Sequence, residues 1–155
     1  MAMRYIGPLD QEKIRARFEQ ELEADVRLVL FVQPPGGLYV PGREEPQTGR
    51  QTQALMQELT ALSDKLLLEV YNPKVDVEQA QVHGIERSPA LVIERADWQG
   101  GKVRFFGLPS GYEFATLIED VVDVSHSRTR LSDATRQALA ELPAPVHLQV
   151  FVTPT

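Results

Sequence analysis

The chain has 155 residues, 43% of them hydrophobic, with 16 Lys+Arg against 22 Asp+Glu, a formal net charge of −6 and no cysteine. This length fits one domain, or one domain plus a fragment, and buries roughly 70% of the surface its unfolded chain exposes, so the fold needs no staple. The missing cysteine excludes disulfides, thiolate nucleophiles, Cys-ligated zinc and iron–sulfur clusters. The basic residues are scattered among acids, which argues against nucleic acid. No apolar run approaches the ~20 residues that span a bilayer. Met1–Gly7 lacks the apolar core of a signal peptide, so a cytoplasmic protein is the expectation.

Asp10 to Ala24 reads as a helix capped by Asp10, with Ile14, Phe18 and Leu22 on one stripe. Val26 to Val32 is a short, β-branched and nearly all-apolar run, the pattern of a strand buried on both faces. From Gln33 to Gly49, four prolines and four glycines in 17 residues exclude regular structure, and only Leu38-Tyr39-Val40 is apolar enough to dock. Such a long loop is functional or mobile. Thr48 to Asp64 reads as a helix with Leu55, Met56, Leu59 and Leu62 on one side, and Leu66 to Tyr71 as a second buried strand.

Asp76 to His83 is a short helix closed by Gly84. Ala90 to Arg95 and Val103 to Phe106 form a hairpin around Gln99-Gly100-Gly101, and Tyr112 to Val122 is a helix presenting Phe114, Leu117, Ile118 and Val121. The order predicts an α/β fold whose mixed sheet is covered on both faces.

Ser132 caps a further helix to Glu141, and Pro143 and Pro145 stop it. Val146 to Pro154 then reads as another strand. It matches Val26 to Pro34, 120 residues earlier, at five of nine positions, and a helix precedes both. Either two apolar strands coincide by chance, or a duplicated unit begins here.

Chemistry-bearing constellations are sparse. His83, His126 and His147 lack metal-ligand spacing and read as ordinary or solvated histidines. Glu44-Glu45 and Glu119-Asp120 read as solvated charges, because adjacent helical residues diverge by about 100° and make no acid/base dyad. No phosphate-binding glycine motif is present, and Ser110 has no histidine placed to serve it. Ser88-Pro89 is more specific, because it directly precedes a buried strand. The local sequence favours a plain trans proline starting that strand. A cis bond would form a tight turn and expose a backbone edge to another chain.

Together these segments resemble the two-unit, glutaredoxin-like protein disulfide oxidoreductases of the thioredoxin-fold superfamily. The likeness rests on Val26–Val32, Gln53–Leu59, Gly84-Ile85-Glu86-Arg87-Ser88-Pro89-Ala90, Phe105–Phe114, Ile118–Ser125 and Phe151–Thr155. It implies a thioredoxin-like fold: a central mixed β-sheet flanked by α-helices over 1–125, with 33–49 as an inserted loop. A C-terminal linker helix would lie within 126–145, and an extra strand at 146–155 would open a second unit. In that family the proline at Pro89 is cis, faces the dithiol and helps bind an extended substrate backbone. The dithiol positions of the first unit fall here on Pro46 and Gly49, which form no thiolate, so the family reaction cannot run on this unit.

The resemblance therefore implies a redox-inactive unit with no cofactor and no metal. It would dock on a catalytic second unit, whose C-x-x-C would follow Thr155, and present Ser88, Pro89, Tyr39 and the 33–47 loop to a client protein or peptide. An independent thioredoxin-like binding module is the second reading, and a non-thiol enzyme in the loop pocket the third. The 146–152 strand, lacking sheet partners, is expected to pair with another copy of the chain, giving a strand-mediated homodimer.

Overall fold

A computed structural model describes residues 4–33, 47–99 and 101–152. In chain order the elements are α1 (Pro8–Glu21), β1 (Val26–Phe31), α2 (Gln47–Thr60), β2 (Leu66–Tyr71), α3 (Val77–His83), β3 (Ala90–Arg95), β4 (Val103–Phe106), α4 (Tyr112–His126) and α5 (Asp133–Ala140). The four strands form one sheet in the order β2-β1-β3-β4. β1 runs parallel to β2 and antiparallel to β3, and β3 pairs antiparallel with β4. The chain thus has the mixed, helix-flanked sheet of a thioredoxin-like α/β fold.

The pleat of β1 explains its continuous apolar run. Val26, Leu28, Leu30 and Val32 face one side, where Ile14, Phe18 and Leu22 from the α1 region, Met56 and Leu59 of α2, and Leu117, Ile118 and Val121 of α4 bury them. Val29 and Phe31 face the other side, packed with Ala90 and Val92 of β3 and Ala80 of α3. With strands on both edges and helices on both faces, β1 has no solvent side, so every position selects an apolar residue except Arg27. Each fully buried aliphatic or aromatic side chain contributes roughly 1.5–3 kcal/mol to this core.

Element ends differ from the sequence expectation by a few residues. Gly7, not Asp10, caps α1, because Pro8 occupies the first turn, where a missing N–H costs nothing. α4 continues four residues past Val122, since Val124 and Ser125 are also buried against the fold. Ser132 caps α5 as expected, accepting from the Thr135 N–H.

The segment 146–152, expected as the first strand of a second unit, stands apart from this sheet. These residues make no ladder, and Val146, Leu148, Val150, Phe151 and Val152 are 62–88% exposed. A strand is defined by its hydrogen-bonded neighbours, and no strand of this sheet is laid beside the segment, so its β-propensity has nothing to act on. No helix among the described residues is long and apolar enough to cross a membrane.

Candidate functional site

Ala90 pairs with Phe31, the last residue of β1, so Ser88 and Pro89 lie at the sheet end where the chain leaves β1. α3 sets their position. Gly84 adopts the left-handed conformation at φ 66°, reversing the chain as α3 closes, and the Ile85 N–H donates to Ala80 O at 2.8 Å. Arg104 Nε donates to His83 O at 2.7 Å, and its guanidinium lies against Gly84, so β4 holds the helix end in place.

The Ser88–Pro89 peptide bond is cis. Pro89 O accepts from the Gly107 N–H at 2.9 Å, tying the segment to the end of β4. Beside it, the Arg87 guanidinium stacks 4.9 Å above the ring of Phe106, which is part-exposed and pairs with Ala90. Ser88 and Pro89 are half-buried. The Arg87–Phe106 stack thus lies beside the proline turn. Sequence reading missed the pairing of Arg87 with Phe106. Its one signal is Phe105-Phe106 at the point where the hairpin pattern turns to loop.

Of the two positions that the resemblance equates with a dithiol, Gly49 sits buried in the first turn of α2. Pro46, Tyr39, the Glu44-Glu45 pair and the rest of the 34–46 loop lie outside the described residues.

The structure separates the three histidines. His83 is fully buried, His126 Nε2 meets Glu21 O at 2.5 Å, and His147 is exposed. Glu119 and Asp120 are not the solvated pair expected. Glu119 is clamped between Arg17 Nη1 at 2.7 Å and Arg130 Nη2 at 3.1 Å, and these contacts hold its carboxyl far down, at about 2. Asp120 points the other way and lines a groove of about 390 Å³ with Lys102, Val103, Asp123 and Arg128. Burial there, reinforced by repulsion from Asp123 and Glu119, pushes its carboxyl up.

A second polar group lies inside the fold. On the face of the sheet that α3 covers, the Arg27 guanidinium ion-pairs with the buried Glu94 and, at 3.3 Å, with Glu69. Tyr71 OH donates to the other Glu69 oxygen at 3.0 Å, and that bond pushes the phenol up. The sequence did carry a signal for this pair: Arg27 is the one charged residue of β1, and Glu94 follows four apolar residues in β3.

No protein-family model matches the chain, and no curated protein is significantly similar to it. Solved structures do match. The chain is similar to the NTD_N/C domain of the alkylhydroperoxide reductase AhpF from Enterococcus faecalis, with 21% identity, a TM-score of 0.72, and coverage of 90% of this chain and 62% of that one. A structure of a point mutant of AhpF from the same organism gives 21% identity and a TM-score of 0.73 over the same shares. A protein disulfide oxidoreductase from Aeropyrum pernix gives 24% identity and a TM-score of 0.70, covering 90% of this chain and 56% of that one. At these identities the likeness shows the fold alone, and the chain spans less than two thirds of each relative's length.

Proposed function

We propose that the chain is a redox-inactive thioredoxin-fold unit of a disulfide oxidoreductase, which docks on a catalytic second unit and offers the Ser88–Pro89 surface to an extended client peptide. The carrying observation is a thioredoxin-like fold without a single cysteine. Thiol–disulfide exchange needs an attacking thiolate and a leaving sulfur, so any exchange must take place on another unit. Two of the relatives' names, a reductase and a disulfide oxidoreductase, favour that chemistry as the context. The Arg87–Phe106 stack beside Pro89 favours peptide binding as this unit's share, because a cation over a part-exposed ring suits an apolar or aromatic side chain on an extended peptide.

The tail supports a second unit. Val26, Leu28, Phe31 and Val32 are buried in this sheet, while their counterparts Val146, Leu148, Phe151 and Val152 are exposed. A segment with the sequence of a central strand is stable only between two other strands, and a following thioredoxin-like sheet supplies them.

With insulin and dithiothreitol, the chain should precipitate insulin no faster than dithiothreitol alone; catalysis above that background overturns the redox-inactive reading. Titrating reduced, alkylated insulin B chain into the isotope-labelled protein should shift the amide signals of Arg87, Ser88, Phe106 and Gly107. Shifts confined to other surfaces, or none, overturn the peptide-binding reading.

A further inference from the structure

The polar group under α3 contains a hydrogen-bonding conflict. His83 is 1% exposed, and its Nδ1 lies 2.9 Å from Gln79 O. A carbonyl only accepts, so Nδ1 carries a proton. Nε2 is buried, has no hydrogen-bond partner among the described residues, and faces Glu94 Oε1 at 3.5 Å. In a neutral ring this places a lone pair against a carboxylate oxygen, whereas a second proton on Nε2 turns the contact into a charge-assisted donor–acceptor pair.

That Glu94 oxygen is already taken. Arg27 Nη2 ion-pairs with the same Oε1, while Lys102 Nζ stands 3.9 Å from Oε2. The remaining charged and titratable groups facing the cluster are Glu69 and Tyr71 from β2 and Arg104 from β4, the last engaged with His83 O. Protonation of His83 therefore sets two cations, Arg27 and the imidazolium, against each other across one buried oxygen. Arg27 also carries Trp98, whose ring lies 3.8 Å from the guanidinium carbon. Trp98 holds a left-handed φ of 63°, which costs a bulky non-glycine residue conformational energy. The stacked guanidinium offsets that cost.

We propose that His83, Glu94, Arg27 and Trp98 form a proton-responsive relay between the end of α3 and the β3–β4 turn. Proton uptake by His83 draws Glu94 Oε1 toward the imidazolium, loosens Arg27 and releases the ring of Trp98. The relay does not depend on peptide docking, and its test involves no peptide.

Trp98 is the chain's single tryptophan, so its emission reads the turn directly. Between about pH 8 and about pH 5.5, a range in which ordinary carboxylates stay ionised, emission should change reversibly in one step. Asp97 beside it is held low by Arg95 and does not contribute. The change should be absent in His83→Gln and unaltered in His126→Gln and His147→Gln. Should His83→Gln fail to fold, ring nitrogen spectra of the wild-type protein decide: His83 must pass from one ring proton to two as Trp98 responds. A flat wild-type profile, an unchanged step in His83→Gln, or a single ring proton throughout overturns the relay.

Discussion

Ser125 and Ala24 meet through both of their hydrogen-bonding capacities: the Ala24 N–H donates to Ser125 Oγ at 2.9 Å, and Oγ donates to the Ala24 carbonyl at 3.0 Å. The Glu23 N–H also donates to the same oxygen, at 2.8 Å. Ser125 is fully buried near the end of α4, so one hydroxyl satisfies three backbone groups of the turn into β1. Ser125→Ala removes them together, leaving part-buried backbone groups without that partner. The expected cost is about 1–3 kcal/mol, seen as a lower denaturant midpoint with an unchanged slope. A variant as stable as wild type would show that the turn is held by other means.

Glu119 gives stability a defined acid limb. Arg17, then Arg130, hold its carboxyl at about 2, below the ordinary glutamate value near ~4.3. The folded value is depressed, so the contribution is fully present above the unfolded value and is lost as pH falls toward the folded one. The stability gap between wild type and Glu119→Gln should be constant above about pH 5 and close between there and about 2. Because the carboxylate is part-exposed, salt should narrow the gap as well. Thermal melts across that range check both statements.

Asp120 has the opposite sign. Burial, then Asp123 and Glu119, disfavour its ionised form, so its folded value lies above the unfolded one. Its contribution is favourable below the unfolded value and is lost as pH rises through the folded value. Asp120→Asn should therefore stabilise the protein modestly at neutral pH, solvent screening of this half-buried group keeping the gain small. The gain should vanish below about pH 3. Denaturant midpoints at the two pH values measure it, and a neutral-pH loss of stability would mean that the charge has a partner in solution.

The exposed segment 146–152 should make association depend on concentration. Leu148 and Val150 are 86% and 84% exposed, so Leu148→Lys with Val150→Lys should weaken self-association severalfold without moving the melting temperature. Sedimentation at several concentrations reads the first effect and a thermal scan the second. Unchanged association would place the contact elsewhere.

The layers of the fold were legible because periodicity is local. Ile14, Phe18 and Leu22, and later Leu117, Ile118 and Val121, announced their buried stripes at helical spacing, and the apolar run of Val26–Phe31 announced a central strand. What the sequence hid depends on long-range meetings. Nothing near Ser125 indicates that Glu23 and Ala24 will need its hydroxyl, and nothing near Glu119 says that Arg17 and Arg130 arrive from either side. Pro89 was legible as a site through its place before a buried strand, whereas the Arg87–Phe106 stack needed the hairpin register that sets Phe106 opposite Ala90. Residues 146–152 have the residue types of a strand, but no strand of this sheet lies beside them.

α5 and the segment after it bury nothing, and an eight-residue helix without packing is marginal in water. Calorimetry should therefore see a smaller protein than the gel does. The heat capacity of unfolding scales with the surface newly wetted, about 12–15 cal/mol/K per cooperatively folded residue. Residues 132–152 are already wet and add almost nothing to it. A heat capacity matching the full chain length would mean that this arm has found a surface to lie on.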